Sequence, residues 1–198
     1  MAGYPEIYIL RHGETEWNRE GRFQGGFDSS LTPLGRQQAL DQNRILQALE
    51  LGGYQWMCSP QERALETAEI AKGDRSDIRI VSELREISMG HWAGQLRRDI
   101  EAETPGLETG GLALYWQLPG GETPYDVAQR CKVFLDCLTG PSVIVTHGVT
   151  LRILACVYFG RGVRSFETYP ADHGAVYRLG AAGFEALTRF DGSSVNRD

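Results

Sequence analysis

Short apolar runs recur along the chain, each bounded by glycine, proline or polar residues. Runs of this length that are rich in Val, Ile and Tyr are typical of strands buried within a sheet. They predict strands at Ile7–Leu10, Tyr54–Cys58, Ile78–Val81 and Val143–Val145. Weaker runs near the C-terminus predict later strands at Ser165–Tyr169, Ala175–Leu179 and Glu185–Arg189.

Between these runs, apolar residues recur at the spacing of a helix that buries one face. Thr32 is the predicted N-cap of the first long helix, with Pro33 at its first helical position. Ser59 and Glu62 have the spacing of a capping box, which predicts another helix start. The predicted helices are Thr32–Leu51, Ser59 to about Lys72, Thr123 to about Leu138, and Val149–Phe159.

Repeated strand–helix units predict a mostly parallel sheet that is covered on both faces. We therefore expect an α/β fold, a three-layer α/β/α sandwich, in one domain that spans residues 1–198. The segment Thr104–Glu122 is rich in glycine but also carries Leu114, Tyr115 and Trp116. This composition favours a lid or a substrate-facing insertion over a passive surface loop. The polar tail, residues 191–198, is expected to be frayed.

Composition narrows the functional classes. The net charge is −6, from 20 basic and 26 acidic residues, and no basic stripe suggests a nucleic-acid surface. No apolar run approaches the roughly 18 residues of a membrane span, and the N-terminus lacks a secretion signal, so we expect a cytoplasmic protein. The cysteines show no metal-binding or disulfide pattern and are expected to be mostly buried thiols: Cys58, Cys131, Cys137 and Cys156.

Two predicted strands end on a histidine that is followed by a glycine. Arg11-His12-Gly13 follows the first strand, and Thr146-His147-Gly148 follows the fourth. In open α/β sheets, ligands bind in the crevice beyond the carboxyl ends of the strands. Two imidazoles at that edge, one of them preceded by an arginine, predict a site where an anion is attacked covalently.

His12 has a structural alternative, since a lone histidine at a strand end is more often a hydrogen-bonding group than a nucleophile. Its neighbours favour chemistry. Arg11 offers a planar set of donors that suits phosphate oxygens, and Gly13 lets the backbone approach a ligand closely. The amide of Asn18 could complete the cradle. A neutral imidazole has the lone pair needed to attack phosphorus, and nearby arginines disfavour its protonation.

Five sequence blocks, in order over roughly residues 6 to 180, resemble the histidine phosphatase superfamily, the phosphoglycerate-mutase-like proteins. A single Arg-His-Gly would be a weak signal, whereas the ordered set is specific. The blocks are Ile9–Asn18 with Gly21–Gly25 and Leu31–Gly35, then Ser59–Ala68, Leu84–Gly94, Gly120–Thr123, and Val145–Gly148.

The resemblance implies a phosphate pocket around a nucleophilic histidine. His12 would become phosphohistidine, and Arg11, Arg63 and His147 would form the electropositive pocket. Asn18 and the backbone of Gly148 would assist. No metal or other cofactor is expected, because the arginines offset the phosphate charge and the sequence shows no carboxylate cluster of the kind that binds Mg²⁺.

The resemblance assigns the remaining groups to the substrate side of the site. Gln24 and Gly25 would lie along the substrate-binding loop. Glu86 would protonate the leaving alkoxide and later activate the water that releases phosphate. An acid of this kind must keep its proton near neutral pH, which burial or a nearby phosphate charge would favour.

Other polar residues in these blocks have structural alternatives. Arg63 could form a surface salt bridge in the first turn of its helix, and Glu86 could be a solvated loop carboxylate. His91 and His173 match no catalytic block and are assigned to structure or surface. Ala93 stands where the family often has a glutamate, a departure that leaves the implied chemistry unchanged.

Three functions remain in competition at this level. The first is a phosphomonoesterase acting on a small-molecule phosphate ester, with no nucleic-acid or membrane partner. The second is a phosphoglycerate mutase, although Glu86 and Gly90 enclose Ile87-Ser88-Met89, which is more like the phosphatase branch. The third is a catalytically silent phosphate-binding module, since folds can keep a pocket after losing turnover.

Overall fold

The computed structural model describes residues 3–107 and 110–187. Its strands are β1 Ile7–Arg11, β2 Gln55–Cys58, β3 Ile78–Ile80, β4 Ser142–Thr146, β5 Val176–Gly180 and β6 Gly183–Leu187. Its helices are α1 Glu16–Glu20, α2 Pro33–Gln47, α3 Glu62–Lys72, α4 Arg97–Glu103, α5 Pro124–Asp136 and α6 Gly148–Tyr158. Short 3-10 helices lie at Ser82–Leu84, Gly90–Trp92, Ala113–Trp116 and Val163–Thr168.

The strands form one sheet in the order β3-β2-β4-β1-β5-β6. The pairs β3–β2, β2–β4 and β4–β1 are parallel, whereas β5 and β6 join β1 as an antiparallel edge. The predicted α/β class with a mostly parallel sheet is confirmed. β1 and β4 lie side by side in the middle of the sheet, so their carboxyl ends meet at its centre.

Helices cover both faces of the sheet, as a three-layer sandwich requires. Side chains of β1 alternate between the layers, because successive residues of a strand point to opposite faces. Ile7 and Ile9 pack in the core beneath α5 and α6, whereas Tyr8 and Leu10 pack in the core with α2 and α3. Burial on both faces explains why these strands read as continuous apolar runs.

The predicted N-cap residues marked helix starts correctly where the cap side chain bonds to a backbone amide nearby in sequence. Thr32 accepts a hydrogen bond from the Gly35 N–H and begins α2 as predicted, although the helix ends at Gln47 rather than Leu51. Thr123 and Asp126 form a capping box at the start of α5. The predicted capping box at Ser59 is wrong. α3 begins at Glu62 after Gln61, because the Ser59 hydroxyl contacts His147 instead.

The predicted strand at Ser165–Tyr169 is also wrong. These residues belong to the 3-10 helix Val163–Thr168 and its C-cap. Phe166 and Tyr169 are buried while Glu167 and Thr168 are exposed, so the apolar positions repeat every three residues, the period of a 3-10 helix, rather than every two.

The final predicted strand begins two residues earlier than expected, in β6 Gly183–Leu187, and its predicted residues 188 and 189 lie outside the described residues. The predicted frayed tail, residues 191–198, lies outside the described residues. The structure shows all four cysteines as free thiols, with Cys137 exposed and the others buried. In the described part of the chain, no helix combines the length and apolar character that crossing a membrane requires.

Candidate active site

The two His-Gly motifs meet at the carboxyl edge of the sheet. In the parallel pair β1–β4, Arg11 is in register with Thr146. The next residue on each strand is therefore a histidine, and the ring centroids of His12 and His147 are 5.1 Å apart. The backbone N–H of His12 donates to the Thr146 carbonyl at 3.0 Å, so the hydrogen bonding between β1 and β4 extends to His12 itself. Both side chains are buried.

The hydrogen bonds of His12 fix which nitrogen carries its proton. Its Nδ1 lies 2.7 Å from the Gly13 carbonyl, which can only accept, so Nδ1 is the protonated nitrogen. Its Nε2 accepts a hydrogen bond from Arg63 Nε at 3.3 Å. Burial, followed by the charges of Arg63 and Arg11, lowers the pKa of His12 well below 6.5. The ring is therefore neutral, with a lone pair on Nε2.

The glycine after His12 is required by a close crossing of two backbone segments. A Cβ on Gly13 would lie 2.2 Å from the carbonyl oxygen of Gly35, in the first turn of α2. The Gly13 N–H donates to the Thr67 hydroxyl at 3.0 Å, which in turn donates to the Arg63 carbonyl at 2.7 Å. These contacts hold the His12 loop against both α2 and α3.

Arg63 is a buried arginine, and each nitrogen of its guanidinium forms at least one hydrogen bond. Besides His12, it contacts the carbonyl of Phe27 at 2.6 Å, Asp28 Oδ1 at 2.7 Å and the carbonyl of Gly25 at 3.0 Å. The Arg63 side chain is 1% exposed and that of Asp28 is 31% exposed. The surface salt bridge considered from sequence is thus replaced by a buried guanidinium that is anchored beside His12.

Two buried nitrogens near His12 have no hydrogen-bond partner within the described residues: Arg11 Nε and His147 Nδ1. Arg11 is held by one bond, from Nη1 to the Ala171 carbonyl at 2.9 Å. Its guanidinium carbon lies 3.3 Å from the position that a Cβ on Gly148 would take, so that glycine makes room for it. Buried polar groups are almost always paired, so two such atoms in one place indicate a site for a polar ligand.

His147 is connected to the rest of the site through two polar side chains. Its Nε2 lies 2.7 Å from the Ser59 hydroxyl, and that hydroxyl lies 3.1 Å from Gln61 Oε1. Gln61 Oε1 also accepts from the backbone N–H of Glu86 at 2.9 Å, while Gln61 Nε2 donates to the Gly25 carbonyl at 2.6 Å. Burial, followed by the charge of Arg63, lowers the pKa of His147 well below 6.5.

Glu86 lies at the N-terminus of α6, where free backbone amides favour an anion. Its carboxylate accepts from the N–H groups of Val149 at 3.2 Å and Thr150 at 3.1 Å. The Thr150 hydroxyl and the Ile87 N–H lie at 3.1 and 3.0 Å from the same carboxylate. Glu86 is half-buried and lines the same cavity as His12, so the structure does not place it in solvent.

The predicted substrate-binding residues Asn18, Gln24 and Gly25 line the same cavity. The Asn18 oxygen is held by the backbone N–H and hydroxyl of Thr15, at 3.2 and 3.0 Å. Its amide nitrogen is therefore the group available to a ligand. Gln24 donates to the Thr15 hydroxyl at 2.8 Å, so it supports Asn18 as well as lining the cavity.

The cavity has a volume of about 80 Å³. This is far below the roughly 300–1,000 Å³ of sites that enclose a whole small molecule, so it suits a compact group with the remainder of the ligand outside. Its wall also contains residues that sequence reasoning did not assign to the site: Arg22, Phe23, Ile87, Met89 and Tyr115. Tyr115 comes from the glycine-rich segment Thr104–Glu122, which therefore reaches the cavity.

His173 is a site neighbour that the sequence-based assignment missed. Its Nδ1 lies 2.6 Å from the backbone carbonyl of His12, and the two ring centroids are 5.5 Å apart. Burial lowers the pKa of His173 to about 4. One signal was available, because His173-Gly174 repeats the His-Gly dipeptide of the two catalytic candidates, just before β5. By contrast, His91 is exposed, as expected.

Ser59 and Gln61 were likewise given only local roles. Their contacts to His147, Gly25 and Glu86 join segments far apart in sequence, so no local spacing reveals them. Within residues 3–107 and 110–187, no group of three or more His, Cys, Asp or Glu side chains is arranged to hold a metal ion.

Comparison with known proteins gives one consistent match. Residues 7–188 match the histidine phosphatase superfamily (branch 1). A probable phosphoglycerate mutase, GpmB, from Salmonella paratyphi C is 35% identical over 166 residues, covering 78% of this chain and 75% of that protein. A glucosyl-3-phosphoglycerate phosphatase from Mycolicibacterium vanbaalenii is 33% identical over 172 residues, covering 78% and 74%.

Solved structures support the same placement. The alpha-ribazole phosphatase from Shigella flexneri superposes with a TM-score of 0.79 at 25% identity, covering 96% of this chain and all of that one. The shared fold extends over the sheet and both helical layers.

Proposed function

Because this chain belongs to branch 1 of the histidine phosphatase superfamily, we propose that it hydrolyses a small phosphate monoester through a phosphohistidine at His12. One observation carries the proposal. His12 presents a neutral Nε2 beside Arg63, and two buried nitrogens nearby, on Arg11 and His147, have no partner in the described chain. A phosphoryl group supplies oxygens that can pair with both nitrogens, with Arg11 Nε directly and with His147 Nδ1 once that nitrogen carries a proton.

The first half of the proposed reaction is transfer to the histidine. The Nε2 lone pair of His12 forms a bond to phosphorus as the P–O ester bond breaks. Arg11 and Arg63 stabilise the charge on the phosphoryl oxygens, and they are in place before the reaction begins. Glu86, as the acid, delivers a proton to the departing alkoxide, so the products are a free alcohol and phosphohistidine.

The second half restores the enzyme. The Glu86 carboxylate takes a proton from water as that water attacks phosphorus. The N–P bond breaks, the electron pair returns to His12 Nε2, and inorganic phosphate leaves. Glu86 regains the proton that it gave to the alcohol, so no other reactant is needed.

Phosphoglycerate mutase activity is the second candidate, since one relative is named a probable phosphoglycerate mutase. A mutase must hold its phosphoenzyme and return the group to a bound acceptor, whereas a phosphatase lets water in. We favour hydrolysis because other relatives are named as phosphatases. The cavity of about 80 Å³ encloses little beyond the phosphoryl group, so it offers scant volume to retain an acceptor.

A turnover assay separates these candidates. We expect release of phosphate from p-nitrophenyl phosphate, unchanged by EDTA, and no conversion of 3-phosphoglycerate with or without 2,3-bisphosphoglycerate. Interconversion of phosphoglycerates faster than phosphate release would instead establish a mutase. Absence of both phosphatase and mutase activity would support a silent phosphate-binding module. A panel of phosphorylated metabolites, compared by kcat/KM, would then identify the substrate class.

In this proposal the partner is a small-molecule phosphate ester, and no metal or nucleic acid takes part. Tyr115 lines the cavity, which supports a substrate-facing role for residues 104–122. The cytoplasmic location stays a prediction.

A further inference from the structure

Ser59 and Gln61 form a polar network behind His147 that affects how this histidine binds phosphate. The following inference rests on the proposed function. We propose that Gln61 is a positioning residue that sets the tautomer of His147. It keeps a lone pair, rather than a proton, on the unpartnered Nδ1 of the free enzyme. His147 then becomes a phosphate donor only by gaining a proton when an oxyanion binds.

The first step is the orientation of the Gln61 amide, which its backbone neighbours decide. The Glu86 N–H can only donate, and it lies 2.9 Å from Oε1. The Gly25 carbonyl can only accept, and it lies 2.6 Å from Nε2. Reversing the amide would place donor against donor and acceptor against acceptor. The oxygen of Gln61 therefore faces Ser59.

The second step is the direction of the Ser59 hydroxyl. Ser59 Oγ lies 3.1 Å from Gln61 Oε1, an atom that carries no hydrogen, so the Ser59 proton must lie between them. The same Oγ lies 2.7 Å from His147 Nε2. Because the hydroxyl proton is already used, Nε2 of His147 must be the donor in that contact. Both Ser59 and Gln61 are buried, so no bulk water competes for these bonds.

The third step concerns the other ring nitrogen. A neutral histidine has one N–H, so Nδ1 of His147 is left with a lone pair, and this is the buried atom without a partner. A lone pair repels a phosphoryl oxygen, whereas an N–H binds it. Arginine charges surround the ring and oppose its protonation while the site lacks an anion; they come from β1, α3 and α5, namely Arg11, Arg63 and Arg130, whereas the neighbouring His12 ring is neutral. Among negative groups, the Glu86 carboxylate accepts from the first turn of α6, and Asp28 and Glu122 pair with Arg63 and Arg130.

A bound dianion instead favours protonation of His147. It offsets the arginine charges and accepts a hydrogen bond from Nδ1, and both effects favour the imidazolium. Binding is then coupled to uptake of one proton by His147, so affinity for a dianion weakens by about tenfold per pH unit over the range in which the free ring is neutral and the bound ring is protonated. Substitution of Gln61 by leucine frees the Ser59 hydroxyl to donate to Nε2. Neutral His147 can then present an Nδ1–H without gaining a proton.

Nitrogen NMR of histidine-labelled protein tests this directly, because the chain has 4 histidines. The probe is tungstate, a tetrahedral dianion that does not itself titrate near pH 8. In the wild type we expect His147 as the Nε2–H form, opposite to the Nδ1–H form of His12, and conversion of His147 to imidazolium when tungstate binds. In Gln61→Leu we expect Nδ1–H at His147 and no conversion.

Binding measurements give a second readout. Between pH 7.5 and 8.5, the slope of log Kd for tungstate against pH should fall by close to one in Gln61→Leu. Gln42→Leu is the matched control. It removes another buried glutamine, one that donates to the Arg11 and Ala175 carbonyls and does not contact His147, so it should keep the wild-type slope. If Gln61→Leu fails to fold, Ser59→Ala removes the same constraint and should lose the slope as well.

The outcomes separate this inference from the proposed function. An Nδ1–H form of His147 in the wild type, or an unchanged slope in both Gln61→Leu and Ser59→Ala, would overturn the tautomer assignment while leaving phosphatase activity intact. Failure of the wild type to bind tungstate, together with no turnover, would remove the proposed function and this inference with it.

Discussion

Replacing Arg63 with methionine tests the centre of the site, because this side chain has both a catalytic and a structural role. The substitution keeps most of the side-chain volume and removes the charge and its four polar contacts, to His12, Phe27, Asp28 and Gly25. Removing one preorganised donor from a developing oxyanion commonly costs about 10²–10³ in rate. We therefore expect kcat/KM for p-nitrophenyl phosphate to fall by at least that factor.

The same change should also lower stability. Removing one partner of a buried ion pair costs about 3–5 kcal/mol, and the partial exposure of Asp28 reduces this to about 2–3 kcal/mol. For a chain of this size, that corresponds to a decrease in Tm of about 4–12 °C. Arg36→Met is the control, since the Arg36–Glu66 pair is exposed on both sides and should contribute less than about 1 kcal/mol.

Steady-state kinetics and thermal melts of both variants test the expected losses of kcat/KM and of Tm. The charge of Arg63 also lowers the pKa of His12, so the acid limb of kcat/KM should move to higher pH in Arg63→Met. A variant that stays folded and keeps kcat/KM within tenfold of the wild type would refute the assignment of Arg63 to the phosphate site. An unmoved acid limb would refute its electrostatic effect on His12.

Three further outcomes follow from the same geometry. His12→Ala should abolish turnover and leave a folded protein, as judged by circular dichroism; activity within tenfold of the wild type would exclude His12 as the nucleophile. Glu86→Gln should slow hydrolysis of alkyl phosphates more than that of p-nitrophenyl phosphate, whose leaving group needs no acid, and equal losses would contradict its role. The pKa of His173 is about 4 against about 6.5 when unfolded, so the unfolded state binds more protons between these values and stability falls as pH decreases. His173→Asn should flatten that acid loss in urea titrations at pH 6.5 and pH 5, and an unchanged difference would show that His173 is not the titrating group.

The elements that sequence predicted well are those whose causes are local. Continuous apolar runs identified β1 and β4 because both faces of these strands are covered. Because ligands bind beyond the ends of parallel strands, the sequence also predicted that His12 and His147 lie in one site. Thr32 and Thr123 identified helix starts because each cap bonds to an amide within three residues.

The wrong predictions of secondary structure concern segments whose conformation depends on a residue distant in sequence, or segments too short to show their helical period. Ser59 has the local signature of a cap, yet its hydroxyl contacts His147, which lies 88 residues away. At Ser165–Tyr169, five residues were too few to distinguish a period of three from a period of two. Helices α1 and α4 were not predicted, because a helix as short as α4, with Ile100 as its one buried residue, has no apolar stripe to detect.

The site residues divide in the same way. Motifs located the groups expected to contact phosphate. Ser59 and Gln61 lie in a family block and His173 precedes a glycine, but the orienting roles of these three residues were not predicted, because each acts through a contact that exists only after the sheet has formed. Functional chemistry was therefore easier to locate than the hydrogen bonds that control it.

The most direct test of the account is to trap the phosphorylated enzyme. Wild-type protein mixed with a phosphate ester, quenched in alkali within milliseconds and digested, should yield one acid-labile phosphate on the peptide that contains His12, and His12→Ala should yield none. A turnover-competent enzyme whose peptides carry no such phosphate at any quench time, or carry it on another residue, would contradict the claim that His12 accepts the phosphoryl group.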